Sequence, residues 1–316
     1  MSSRRDRKRP KKKRRFLRKV FLLCVILLLA AVGYGVAQYY QGKSEASDGQ
    51  YTNDGNNFPD FHGEEPIGGE IKTLLLGSDA RGGGDHGRSD TLMIGYYNKH
   101  TNETKLVSIM RDTYVNIPGH GMQKINAAFS LGGPELLRKT IKENFGVDIN
   151  YYAVVDFAGF PKLIDLLAPN GITVDIPEKM SYGIGMTLQP GTQTLHGDKL
   201  LGYVRFRHNA ESDFGRIKRQ QEVLGKVKEQ AMRPKSIIKL PKLLGMIDPY
   251  VETNVSNGTM LSIAKGMVTG STKNMETLRI PVEGSYTNER TSVGLVLNPN
   301  LEQNKQALQA FLSGKK

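Results

Sequence analysis

Val20–Ala37 is a run of eighteen residues with no charged side chain. It directly follows nineteen residues that carry twelve Lys or Arg and a single acid, Asp6. At 1.5 Å rise per residue a helix of that length spans roughly 27 Å, close to a hydrocarbon core of about 30 Å. The segment reads as a membrane anchor over 20–40, with Tyr39 and Tyr40 where an interfacial aromatic belt lies. The basic flank assigns the N-terminal end to the cytoplasm, so everything after residue 40 is expected outside the cell. Gly35-Val36-Ala37 also has the small-x-small form of a signal cleavage site. The long apolar run and the long basic flank favour an uncleaved, single-pass anchor.

Located in this way, the formal charge of +13 loses its nucleic-acid meaning. Residues 1–19 hold +11 of it, and the rest of the chain has 32 basic against 30 acidic side chains. A basic tail beside an apolar span suits anionic lipid and topology, no helix-turn-helix is evident, and no nucleic-acid partner is expected. Cys24, the one cysteine, lies inside the apolar run, which excludes an intrachain disulfide and a thiolate metal site. Residues 41–69 are rich in Gly, Ser, Asp and Asn, carry Pro59 and Pro66, and read as a flexible extracellular linker. One folded domain is expected over 70–316.

Within it, short apolar runs alternate with helical patterns. Strands are expected at 71–77, 91–97, 105–110, 151–157, 171–176 and 276–282. Helices are expected at 134–145, 158–167, 197–205, 213–233, 235–246, 259–269 and 299–312. The alternation predicts an α/β domain with a central mixed sheet sandwiched by helices.

The chemistry concentrates in Ile71–Asn126. Three buried strands end or begin at charged residues of both signs: Ser78-Asp79-Ala80-Arg81, Arg88-Ser89-Asp90-Thr91 and Arg111-Asp112-Thr113. Strand ends with polar loops are where ligands bind in helix-covered sheets. Two aspartates interleaved with Arg81, Arg88 and Arg111 suit a polyphosphate held by guanidinium forks and a divalent cation. Further along, Arg205 and Arg207 would share a face if their segment is extended. Arg216, Arg219 and Gln220 share a face of the predicted long helix, whose N-cap would be Ser212 or Asp213. Leucine-rich faces at 134–145, 158–167 and 213–233 read as plain core or as candidates for the walls of an apolar pocket. No His-Glu-x-x-His, P-loop or Gly-x-Ser-x-Gly occurs.

The ordered motifs Gly-Ser-Asp-x-Arg (77–81), Arg-Ser-Asp-Thr (88–91), Arg-Asp-Thr (111–113), Lys-Ile-Asn-Ala-Ala (124–128) and Tyr-Tyr-Ala-Val-Val-Asp-Phe-x-Gly-Phe (151–160) resemble the LytR–CpsA–Psr family. Leu-His-Gly, Tyr-Val-Arg-Phe-Arg and Asp-Phe-Gly-Arg-Ile-Lys-Arg-Gln-Gln within 195–221 extend the likeness over roughly 70–230. The wording is nearest to MsrR-type regulatory members. The resemblance implies a membrane-anchored phosphotransferase that moves an anionic glycopolymer, of wall teichoic acid type, from polyprenyl pyrophosphate to peptidoglycan. Asp79 and Asp90 match the family's metal-associated acids. Arg88, Arg111, Arg205, Arg207, Arg216, Arg219 and Gln220 match its pyrophosphate-binding positions, and Arg81 fits the Ser-Asp-x-Arg motif. Two departures stand out: Ile109-Met110 replaces the usual Ile-Pro before Arg111, and Gly82-Gly83-Gly84 loosens the first loop.

Two ionised aspartates beside a diphosphate diester would each repel it by on the order of 4 kcal/mol at 4 Å and an effective dielectric of about 20. A bridging cation, Mg²⁺ or Mn²⁺, is therefore expected on Asp79 and Asp90, with Arg111 joining them as the catalytic set. Asp213 and Asp112 are candidate bases. The competing expectations are a polyprenyl-pyrophosphate hydrolase using water, a wall-binding protein, and an envelope regulator acting indirectly on transcription.

Overall fold

The computed structural model describes residues 11–47, 58–78, 89–209, 212–231, 240–269 and 275–314. Helix α1 (Lys11–Ser47) precedes strands β1 (Glu70–Ser78), β2 (Ser89–Asn98) and β3 (Thr104–Ile109). A small hairpin of β4 (Tyr114–Ile117) and β5 (Gly121–Lys124) leads to α2 (Ala127–Phe145), β6 (Tyr151–Asp156) and α3 (Gly159–Leu167). A second hairpin, β7 (Ile172–Ile176) with β8 (Gly191–Leu195), precedes α4 (Gly197–Arg205) and α5 (Ser212–Ala231). Then come α6 (Leu240–Ile247), β9 (Glu252–Thr253), α7 (Asn257–Thr269), β10 (Glu276–Ile280), β11 (Tyr286–Thr291), β12 (Gly294–Pro299) and α8 (Leu301–Ser313).

The central sheet has the order β10-β3-β2-β1-β6-β9 and is mixed: β1 pairs antiparallel with β2 but parallel with β6, and β10 runs parallel to β3. The expected α/β sandwich is what forms. Strand periodicity of two sorts side chains to opposite faces. Leu74, Leu76, Leu92, Ile94, Val107, Ile109 and Val154 face α2 and α8 and join Phe129, Ile141 and Leu308 in the main core. The intervening Leu75, Met93, Ala153 and Val155 face the layer of α3, α4 and α5 and line a cavity there. A second core of Ile164, Ile172, Val174, Leu200, Tyr203 and Val223 ties the β7–β8 hairpin to those helices.

Several boundaries differ from expectation. Helix α2 starts at Ala127 and is kinked at Gly132-Gly133, where φ of Gly133 is +63°, immediately before Pro134. Such a conformation suits glycine, and the residue before proline avoids the α region. The linker expected over 41–69 is interrupted by order at both ends. Residues 41–47 continue α1, and Phe58 and Phe61 pack on the core, with ring centroids 6.3 and 5.0 Å from Tyr152. Glu64 N–H donates to the Ile149 carbonyl at 3.1 Å, so apolar anchors and backbone pairing tie 58–69 down. The helix expected over 235–246 is described only from Leu240. Among the described residues, Val25–Ala46 of α1 is the one segment long and apolar enough to cross a membrane.

Candidate anion site over an apolar cavity

The site forms where separate segments reach one end of the cavity. Strand β2 opens at Ser89-Asp90, β3 hands the chain to Met110-Arg111, α4 ends at Arg205, and α5 begins at Ser212-Asp213. Asp90 Oδ1 accepts from Arg111 Nη1 at 2.7 Å and Oδ2 from Arg207 Nη2 at 2.8 Å. Asp213 draws in Arg111 Nε at 3.2 Å, Arg216 Nη2 at 3.5 Å and Arg207 Nε at 3.6 Å. Asp112 is neutralised by Lys124 at 2.7 Å while lying 3.4 Å from Arg111. Arg205 stands beside the cluster, its guanidinium carbon 4.2 Å from the Phe157 ring centroid. Four guanidiniums thus surround two carboxylates, a surplus of positive charge that suits a dianion.

The electrostatics follow from this geometry. Burial alone would raise the Asp90 carboxyl, but Arg207 and Arg111 outweigh it and hold it below the ordinary carboxylate range. Burial also disfavours charge on Arg111, yet Asp213 and Asp90 keep its guanidinium above its usual value. Arg216 is the exception. It is 3% exposed, and its Nε and Nη1 have no hydrogen-bond partner among the described residues. Burial, opposed by Asp213 but reinforced by Arg207 and Arg111, pushes its guanidinium down to about 10. A buried cation with unused donors is what an anion site looks like before its anion arrives.

Behind these charges the cavity encloses about 330 Å³. Its walls are the sheet residues Leu75, Met93, Ala153 and Val155, with Leu163 and Leu167 of α3 and Val223, Leu224 and Val227 of α5. Asp90, Arg205, Arg207, Arg216 and Gln220 also line it. Gln220 is oriented by donating to Thr91 Oγ1 at 3.0 Å and to the Val204 carbonyl at 3.3 Å.

Of the residues singled out in sequence, Asp90, Arg111, Arg205, Arg207, Arg216 and Gln220 converge here. Asp79, Arg81 and Arg88 lie outside the described residues; Ser78, which precedes Asp79, is paired with Ser89, which precedes Asp90. Arg219 does not join the site. Its Nε donates to the Tyr203 carbonyl at 3.1 Å and its Nη2 to that of Phe206, so it closes the C-terminal end of α4. Arg205 and Arg207 do not share a face either. Arg205 is the last residue of α4 and stacks on Phe157, while Arg207 lies beyond the helix and turns to Asp90 and Asp213. Asp213, offered with Ser212 as the N-cap of α5, falls in the helix's first turn, and its carboxylate faces arginines. Of the three leucine-rich faces, 158–167 and 213–233 contribute to the cavity, whereas α2 sits on the opposite side of the sheet. Phe157 and Thr91 were not anticipated as partners. Thr91 carried a signal, standing next to Asp90 in the Arg-Ser-Asp-Thr motif.

Fold and site together define a class: an α/β domain with a cationic mouth over an apolar cavity, on a chain whose described residues include one membrane-length helix. The LytR_cpsA_psr family profile matches residues 36–310, and the chain belongs to that family. It is 42% identical over 253 residues to the regulatory protein MsrR of Staphylococcus aureus, covering 80% of this chain and 77% of that one. It is 33% identical over 305 residues to the polyisoprenyl-teichoic acid–peptidoglycan teichoic acid transferase TagU of Oceanobacillus iheyensis, covering 91% and 92%. The crystal structure of Bacillus subtilis TagV matches with a TM-score of 0.66 at 28% identity, over 78% of this chain and 99% of that chain. These relatives support a transferase role in building the cell wall.

Proposed function

We propose that the protein transfers an anionic glycopolymer from a polyprenyl pyrophosphate carrier to a hydroxyl of peptidoglycan, on the outer face of the membrane. The observation that carries this reading is Arg216, a buried guanidinium with two nitrogens lacking acceptors among the described residues, at the polar end of an apolar cavity. A diphosphate with an isoprenoid tail satisfies both halves of that environment. The tail occupies the space among Leu75, Met93, Val223 and Val227, and the phosphates take the donors of Arg111, Arg205, Arg207, Arg216 and Gln220. The name of the TagU relative, with its polyisoprenyl-linked donor and peptidoglycan acceptor, points the same way.

Chemically, the acceptor oxygen forms a bond to the polymer-side phosphorus as the bond from that phosphorus to the bridging oxygen breaks. The carrier departs as polyprenyl phosphate, keeping the bridging oxygen, and the hydroxyl proton is released. Charge develops on the departing phosphate, where Arg111 and Arg207 can swing from Asp90 onto phosphate oxygens. Those moves free Asp90 to bind a hard cation. No group of three or more acids, histidines or cysteines is gathered for a metal among the described residues. Mg²⁺ commonly takes one or two carboxylates together with substrate phosphate and water. Asp90, with Asp79 one residue beyond β1, would hold it, and bound Mg²⁺ would offset phosphate charge.

Incubating the purified full-length protein with lipid-pyrophosphate-linked oligosaccharide, peptidoglycan and Mg²⁺ tests the reading by mass analysis of the glycan. Phosphodiester-linked oligosaccharide on peptidoglycan is expected. Release of the sugar phosphate into solution alone would instead make the protein a hydrolase. The likeness to MsrR favours a regulatory effect as well, which we read as an indirect response to wall composition. On that reading Arg111→Ala abolishes the transcriptional response together with transfer.

A further inference from the structure

The outer end of α1 is not a free tether. It lies along α6, and the contact is too close for side chains at the crossing. A Cβ on Gly42 would overlap the Lys242 carbonyl, and a Cβ on Gly245 would overlap that of Tyr39. Polar pairs lock the same face. Asp248, just past α6, accepts from Tyr39 Oη at 3.0 Å and from Lys43 Nζ at 2.6 Å. Lys242 donates to Glu45 at 2.8 Å, and Tyr250 donates to the Ala46 carbonyl at 3.2 Å. The same short stretch is also a cavity wall, because Ile247 and Val251, on either side of the 248–250 turn, line the cavity. At its other end Pro241 lies 4.0 Å from where a Cβ on Gly35 would stand, which is still within the uncharged run 20–37.

We infer that the anchor and α6 form one rigid post that fixes the height and orientation of the carrier-binding cavity above the outer leaflet. The end of the uncharged run at Ala37 sets the bilayer boundary on this post. Ala46, which holds the turn between Ile247 and Val251, stands nine helical residues beyond Ala37, roughly 14 Å further out. That distance sets the cavity wall just outside a headgroup layer about 5–8 Å thick, within reach of the diphosphate of a bilayer-embedded carrier. Small residues at a helix crossing permit such backbone contact, and no hinge is described between the apolar run and the docked segment. The inference rests on the transferase reading only for the identity of the cavity's occupant.

Two readouts on the full chain in proteoliposomes test it. Zero-length carbodiimide coupling is expected to join Lys43 to Asp248 in the unaltered protein and to fail in Gly245→Leu, as read by peptide mass analysis. Transfer is then compared between a bilayer-embedded long-chain donor and a short-chain, water-soluble one. Gly245→Leu should lower transfer from the embedded donor about tenfold or more, leaving the soluble donor within about twofold. A two-turn helical insertion after Ala37 keeps the docked contact but lifts it roughly 10 Å, and should show the same selective loss. Absence of the Lys43–Asp248 link, or equal effects on both donors in both variants, overturns the inference. If the unaltered protein uses neither donor, the transferase reading fails instead, and the cross-link still decides whether the post exists.

Discussion

Arg216 sits in the least comfortable place a guanidinium can occupy. It is enclosed at the start of α5, flanked by Arg207 and Arg111, with one ion pair to Asp213 at 3.5 Å. Replacing a whole buried ion pair with packed apolar side chains is often neutral or stabilising, whereas removing one partner is costly when it leaves the other charge uncompensated. Asp213 would keep Arg111 and Arg207 as partners after such a change. Arg216→Met is therefore expected to raise the stability of the ligand-free protein by roughly 1 kcal/mol or more. It should also weaken inorganic pyrophosphate binding about tenfold to a hundredfold, since charged hydrogen bonds contribute about 1.5–3 kcal/mol each. Thermal unfolding with and without pyrophosphate checks both. The variant should melt higher alone and lose most of the pyrophosphate-induced rise. A variant that melts lower and binds normally would assign Arg216 a purely structural role.

At the scale of elements, the sheet's two faces do different jobs. The face toward α2 is closed by large side chains such as Phe129 and Phe145, while the face toward α3 and α5 is left open around Ala153. Filling that space discriminates the two. Ala153→Leu adds apolar volume where a cavity exists, so stability should change by less than about 1.5 kcal/mol. Long-chain polyprenyl phosphate binding should fall about tenfold, while inorganic pyrophosphate binding at the arginines is retained. Isothermal titration with the two ligands reads this directly. Much of this layout was legible in sequence. Uninterrupted apolar strands such as Leu74-Leu75-Leu76 signalled burial on both faces, and Asp90, Arg111, Arg207 and Arg216 were recognisable by charge at strand and helix ends. Sequence could not tell which apolar face is packed and which encloses space, because leucine and valine serve both. It also could not separate Arg219 from Arg216. Three residues apart on one helix they look equivalent, but Arg219 meets the free carbonyls at the end of α4, a contact set by tertiary packing. The β4–β5 and β11–β12 hairpins escaped notice because one strand of each, β5 with Gln123 and β11 with Asn288 and Glu289, is mainly polar, and the apolar runs of their partners β4 and β12 are only a few residues long.

For the whole molecule the decisive asymmetry is of charge along the chain. The first nineteen residues hold +11 and the remaining 297 residues only +2, with the apolar run between them. Positive flanks resist translocation, so this distribution would retain the tail in the cytoplasm and deliver the domain outside. In that orientation the tail would also bind anionic headgroups of the inner leaflet, worth about 1 kcal/mol per basic residue near the surface. The two effects separate experimentally. Replacing all twelve basic residues with Gln or Ser removes both, and a fraction of molecules is expected to insert with the domain inside. Protease added to intact cells or protoplasts should then fail to cleave that fraction, and transfer measured on whole cells should fall in proportion. Placing the same number of Lys residues after Ser47 in that variant should increase the inverted fraction further. Restoring only four basic residues next to Phe16 and Leu17 should recover orientation with most of the inner-leaflet affinity still missing, because topology depends on charge close to the span whereas surface binding sums over the tail.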